Sequence, residues 1–236
     1  MSLLPIREAA AGGTPASCCR AAPVIRHPAP TGRGVGLAAV ALLACALAGC
    51  SALTRPAPVR QTFLLEPASP PAEAHARPGA LRVGIVRVAA PFRGKAFVYR
   101  TGDLSFQTDY YVEFLVSPEA MLTEQTARAL DRARVFERVA GPDASTDADW
   151  RLDGFASTLY ADARNPAQAY AEIAVTYYLT PSGGIAQTPV WTREYHRHVA
   201  MHDASPGAYA DALNAAFGDI VAELARDLAS AKLPAR

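Results

Sequence analysis

Alternating hydrophobic and polar positions dominate the second half of the chain. Such alternation is typical of strands that bury one face, and it recurs in 150–160, 169–179 and 190–200. A similar pattern in 81–88 places Leu81, Val83 and Ile85 on one face, with Arg87 as a further member. Shorter runs rich in β-branched and aromatic residues predict additional strands at 62–66, 97–100, 109–114 and 135–139.

Two helices are predicted between and after these strands. Ser117-Pro118 and Ser205-Pro206 each pair a serine that can cap free amides with a proline suited to the first helical position. Apolar residues recur at helical spacing after both, as in Leu213, Phe217 and Ile220. A turn at 181–184 joins the last two long strands as a hairpin. The pattern therefore predicts an α+β fold, with a mixed or antiparallel sheet and two main helices packed on it.

The first fifty residues have a different organisation. An uncharged, Ala-rich stretch from Gly34 to Thr54 is preceded by several arginines, as a signal peptide is. Its apolar centre ends in Leu47-Ala-Gly-Cys50, which resembles the lipobox of bacterial lipoproteins. That resemblance implies cleavage before Cys50, diacylglycerol on its sulfur and acylation of the new amino group. A transmembrane anchor and an ordinary secretory signal are the alternatives.

These features predict three parts: a lipoprotein signal peptide at 1–49, the lipidated cysteine with its tether at 50–61, and a domain at 62–236. Of the four cysteines, three lie within the signal peptide. The mature chain therefore keeps only Cys50 and can form no internal disulfide. Ser51 follows the cysteine, and since it is not aspartate, the resemblance to bacterial sorting rules implies the outer membrane.

Charge balance and the absence of known motifs exclude several classes of function. Lys and Arg total 23 against 22 Asp and Glu, a balance that gives no electrostatic basis for nucleic-acid binding. No nucleophile elbow, zinc-protease helix or phosphate-binding loop motif occurs. We expect no cofactor and no catalytic site.

The order of features resembles a known family. After the lipobox come Phe63-Leu-Leu65, a Pro-rich loop, Phe97-Val-Tyr-Arg100, Tyr110-Tyr111 and the Ser117-Pro118-Glu-Ala-Met-Leu122 helix start. This succession is similar to the ABC-type transport auxiliary lipoproteins, which are encoded with ABC or MCE-domain lipid transport systems. The resemblance implies a non-enzymatic outer-membrane lipoprotein that faces the periplasm and binds the transport partner. An alternative within that function is that the domain itself carries phospholipid.

One cluster supports a different class of function. His196, His198 and His202 have spacing that could bring imidazoles together, with Glu194 on the same strand face. An envelope-anchored, metal-dependent hydrolase is therefore the second hypothesis. The competing interpretation is that His196 and His198 simply lie on the solvated face of a strand.

Tyrosines provide the candidate partner site. Two doublets, Tyr110-Tyr111 and Tyr177-Tyr178, lie within predicted strands. Adjacent residues of a strand point to opposite faces, so one tyrosine of each doublet is expected to point away from the core. Exposed tyrosine is common at protein interfaces, and these outward tyrosines are predicted to mark the surface that binds the partner.

Overall fold

A computed structural model describes residues 59–144, 147–183 and 188–234. Two helices and eight strands run in chain order: β1 Gln61–Phe63, β2 Arg77–Val88, β3 Ala96–Arg100, β4 Phe106–Phe114, α1 Pro118–Arg132, β5 Phe136–Ala140, β6 Trp150–Asp162, β7 Tyr170–Pro181, β8 Trp191–Ala200 and α2 Pro206–Ser230. Single 3-10 turns at Ala90–Phe92 and Pro166–Gln168 precede β3 and β7. The predicted α+β class is confirmed.

The sheet is mixed and centres on β6. Strand β7 pairs antiparallel with β6 on one edge and with β8 on the other, and the β7–β8 pair confirms the predicted hairpin. On its other edge, β6 pairs parallel first with β2 and then, at its end, with β3. Strand β5 joins β2 in parallel, β4 joins β3 as an antiparallel hairpin, and β1 runs parallel to β4.

Both helices begin as their sequences predict. The Ser117 hydroxyl accepts the amide of Ala120, the Ser205 hydroxyl accepts that of Ala208, and each following proline fills the first turn. The apolar stripe of α2, including Leu213, is fully buried. Each cap satisfies an amide that would otherwise lack a partner at the start of the helix.

One hydrophobic core joins the two helices to one side of the sheet. Alternate residues of β7, from Ala171 to Leu179, point into it and are fully buried. Helix α1 packs on β2 and β5, whereas α2 packs on β7 and β8. We call this side the covered face and the opposite side, which bears Tyr178, the open face.

The alternation predicted for β2 is wrong beyond Val83. Between Val83 and Val86 the pairing with β6 shifts register, because β2 advances three residues while β6 advances two. This bulge turns Ile85 and Arg87 outward and buries Val86 and Val88 instead. A close approach accompanies it: a Cβ at Gly84 would lie 2.1 Å from Asp153 Oδ1.

Candidate functional site

The second tyrosine doublet divides between the two faces of the sheet. Tyr177 is fully buried on the covered face, and its hydroxyl lies 2.9 Å from the Thr126 hydroxyl of α1. Burial raises the pKa of Tyr177, while the hydrogen bond with Thr126 opposes the shift. Tyr178 points to the open face, as strand alternation requires. It is therefore the member of this doublet that is placed to meet a partner.

The first doublet departs from the expectation that one tyrosine would be buried. Tyr110 and Tyr111 are both exposed, by 77% and 43%, and their rings contact each other edge to face at 4.9 Å. The cause is a bulge: where β3 advances from Ala96 to Val98, β4 advances five residues, from Thr108 to Glu113. The extra residues leave the regular ladder, so alternation no longer fixes where their side chains point.

Asp109 holds this bulge in place. Its Oδ1 atom accepts the amides of Tyr111 and Val112, at 2.8 and 3.1 Å. These side-chain bonds fix the backbone where the pairing of β4 with β3 is interrupted. The outward tyrosine pair therefore rests on a turn that Asp109 fixes. Burial also raises the pKa of Tyr99 to about 12, and the nearby Asp109 charge contributes to this shift.

The open face around Tyr178 combines aromatic and charged side chains. Arg151 donates two hydrogen bonds to the Asp153 carboxylate, from Nε to Oδ2 at 2.7 Å and from Nη2 to Oδ1 at 2.9 Å. Asp153 pairs with Tyr178 across the ladder, and the next outward residue of β6, Phe155, is 40% exposed. A cavity of about 410 Å³ opens here between β2, β6 and the end of β7. Tyrosine and arginine are enriched at protein interfaces, so this surface suits a protein partner.

Sequence reasoning did not identify Phe155 or the Arg151–Asp153 pair as part of this surface. The signal was present, because all three alternate with the buried Leu152 and Gly154. Recognising it required knowing that both helices lie on the other side of the sheet, which is a tertiary property.

The histidines do not converge as a metal site. His196 Nε2 instead lies 3.0 Å from Glu172 Oε1, and His198 packs near the Tyr170 ring. His202 lies beyond the end of β8, with Nε2 3.6 Å from Asp203 Oδ2. Within the described ranges, no three His, Cys, Asp or Glu side chains come together to hold a metal ion. The arrangement that the hydrolase hypothesis requires is therefore not formed by these residues.

A second groove, of about 490 Å³, lies between α1 and the bulge of β2. Ile85, Ala120 and Ala127 contribute apolar surface. Glu119, Glu124 and Asp143 line the same groove, with Arg128 as the basic lining residue, and Arg128 is paired with Glu124. This excess of acidic groups would repel an anionic phospholipid headgroup.

Cys50, with the proposed signal peptide and most of the tether, lies outside the described residues. Within the described part of the chain, neither helix has the combination of length and apolar character needed to cross a bilayer.

Family comparison agrees with the fold and with the order of motifs. The model of the ABC-type transport auxiliary lipoprotein component family matches residues 63–225. The chain belongs to this family, and the match runs from the last residue of β1 through most of α2. No curated protein matches the chain.

Solved structures share the architecture. Protein XCC0632 from Xanthomonas campestris, of the DUF330 family, is 17% identical, with 70% of this chain and 92% of that chain covered and a TM-score of 0.63. A crystal structure described as an uncharacterized protein is 14% identical, with 72% and 99% covered and a TM-score of 0.56. At these identities the likeness concerns the fold alone.

Proposed function

We propose that this chain is a non-enzymatic outer-membrane lipoprotein that binds the periplasmic, MCE-domain part of an ABC-type transport system that moves lipid between membranes. Membership of the auxiliary lipoprotein family carries the proposal. Cys50 would hold the anchor, and Ser51 at the next position fits retention in the outer membrane.

The open face is the proposed docking surface for the transport partner. Both helices are used on the covered face, so neither shields Tyr178 or Phe155. The surface mixes rings with a paired arginine and carboxylate, the composition of an interface between proteins that also exist apart. Tyr178 lies beside the cavity that Arg82, Arg151 and Asp153 line, which makes it the proposed anchor residue.

A scaffolding role is preferred here over direct carriage of phospholipid. The larger groove is open at the surface and is bordered by Glu119, Glu124 and Asp143. An acyl chain requires an apolar enclosure, and an anionic headgroup would meet like charges at this rim. The proposal therefore assigns lipid handling to the partner.

Metabolic labelling with a palmitate analogue tests the anchor. Wild-type protein should incorporate the label and fractionate with the outer membrane. Cys50→Ala should do neither, whereas Cys45→Ala, within the signal peptide, should remain labelled. Equal labelling of Cys50→Ala would remove the lipidation claim.

Co-purification tests the partner. Wild-type protein extracted in mild detergent should bring down the MCE-domain protein encoded with it, and the isolated complex should bind phospholipid through that protein. Mass spectrometry of the lipoprotein alone provides the control. Stoichiometric phospholipid on the lipoprotein by itself would contradict the scaffolding role.

A further inference from the structure

The chain enters the sheet at one particular edge. Strand β1 begins at Gln61 opposite Val112 and runs parallel to β4 only as far as Phe114. Because the two strands are parallel, residues before Gln61 lie towards the start of β4. Arg60, the residue before β1, forms an ion pair with Glu113 of β4, with Nη1 3.5 Å from Oε1. The first strand therefore starts beside β4, next to the tyrosine bulge.

This edge carries an unusual share of exposed apolar side chains. Five of the eleven large hydrophobic residues that are exposed within the described ranges lie here: Val59, Leu104, Phe106, Tyr110 and Tyr111. Leu104, at the tip of the β3–β4 hairpin, is 95% exposed. We call Leu104 to Tyr111 the entry edge. Such a concentration is typical of a surface that meets a partner or a membrane.

We propose that the entry edge rests on the membrane surface that holds Cys50, with Tyr110 and Tyr111 placed among the lipid headgroups. This inference rests on the proposed lipidation of Cys50. Tyrosine suits this position because its ring is apolar and its hydroxyl can remain hydrogen-bonded to water or phosphate. Leu104 adds an aliphatic contact at the hairpin tip.

The length of the tether selects the membrane as the occupant of this edge. Ten residues separate Cys50 from Gln61, and the eleven residue-to-residue steps of a fully extended chain span at most about 40 Å. The tether therefore limits how far the start of β1, which lies beside the entry edge, can be from the membrane that holds Cys50. A contact of modest strength is well populated at such a short range, because the tether keeps the effective concentration high.

The hairpin tip is braced for such a contact. Arg164 Nη1 lies 3.0 Å from Asp103 Oδ1, which ties the tip to the loop after β6. Arg100 donates to the carbonyl oxygens of Gly102 and Asp103 within the same hairpin. The tip therefore presents Leu104 from an ordered turn, and little further ordering is needed when it meets lipid.

Site-directed fluorescence tests the orientation. Once the signal peptide is removed, Cys50 is the only cysteine, and its sulfur is occupied if it is lipidated. Single variants Tyr110→Cys and Tyr178→Cys can then be labelled with one thiol-reactive fluorophore in the mature lipoprotein. The labelled proteins are inserted into vesicles of phosphatidylethanolamine and phosphatidylglycerol that contain headgroup-quencher lipids.

We expect quenching at position 110 to be at least about threefold stronger than at position 178, because only the entry edge reaches the headgroups. Equal quenching at the two positions would overturn the proposal. If quenching at position 110 is weak and the fluorophore there becomes shielded from solvent as protein density rises, the edge is assigned to a second copy of the chain. Shielding that appears only when the transport partner is added would assign it to that protein.

The wild-type protein separates this inference from the lipidation on which it depends. It should take up no thiol label. If it does, the Cys50 sulfur is free, and the lipidation itself has failed. If it takes up none and position 110 is still not quenched, the anchor stands and only the proposed orientation is wrong.

Discussion

The two faces of the sheet differ although they are built from adjacent residues of the same strands. On the covered face, Tyr177 is buried and hydrogen-bonded to Thr126 of α1, and its neighbours on β7 are aliphatic. On the open face, Tyr178 lies beside Arg151 and Asp153, which bond to each other. The first face stabilises the fold through burial. The open face instead presents side chains that can release water and bind a partner while the fold stays intact.

The largest expected effect is on the covered face. Tyr177→Ala removes a fully buried ring and should lower the free energy of unfolding by about 4 kcal/mol. Tyr177→Phe is the matched control: it keeps the ring and loses one hydrogen bond, so the loss should be about 1 kcal/mol. Urea unfolding followed by circular dichroism measures both. If the two variants were equally stable, the ring would not be part of the core.

A second prediction concerns a buried carboxylate on the open face. Asp162 accepts hydrogen bonds from Arg164 Nε and from the Tyr170 hydroxyl, both at about 3.0 Å. Burial acts to raise its pKa, but the hydrogen bonds from Arg164 and Tyr170 prevail and hold it below the usual 3.8. Asp162→Asn should lower stability near neutral pH by about 2 kcal/mol.

The pH dependence of that loss follows from the sign of the shift. A carboxyl whose pKa is lowered by folding contributes stability above its unfolded pKa, and this is lost as the pH falls through the folded value. The difference between wild type and Asp162→Asn should therefore shrink below about pH 4. Unfolding curves across this range measure it, and a difference that stays constant would show that the charge of Asp162 is not responsible.

A third, smaller effect is expected at the start of α2. Ser205→Ala removes the acceptor for the Ala208 amide, 3.1 Å away, and should cost about 1 kcal/mol. Ser205→Asn can restore the cap and should recover most of the stability. Thermal unfolding compares the three proteins. An alanine variant as stable as wild type would mean that water replaces the cap.

The smallest effect on stability should come from the open face. Tyr178→Ala is expected to change the free energy of unfolding by about 0.5 kcal/mol, because the ring packs on the outer side of the sheet rather than in the core. The same urea titration used for Tyr177 provides the comparison. Losses of similar size at the two positions would mean that both faces are core, and the distinction between them would fail.

Local chemistry explains why much of the fold could be predicted from the sequence. The two helix starts could be predicted from Ser117-Pro118 and Ser205-Pro206, because the cap and the first turn depend only on neighbouring residues. The long strands β6, β7 and β8 are regular over most of their length, so alternation located them. The α+β class followed from those elements.

The bulges and the parallel pairing could not be predicted in the same way. Ile85 and Tyr111 point where they do because β2 and β4 gain residues relative to their partner strands. That register depends on strands far away in sequence, such as β6 for β2. The same holds for β1, whose parallel alignment with β4 places its first residue beside the entry edge.

Binding of the transport partner tests the central claim most directly. Titration of the purified MCE-domain partner against wild-type protein, Tyr178→Ala and Tyr178→Phe would measure the contribution of this ring. If Tyr178 anchors the interface, Tyr178→Ala should weaken binding by about 30-fold, equivalent to about 2 kcal/mol, and Tyr178→Phe should retain most of the affinity. A folded Tyr178→Ala variant that binds the partner as tightly as wild type would contradict the assignment of the open face as the docking surface.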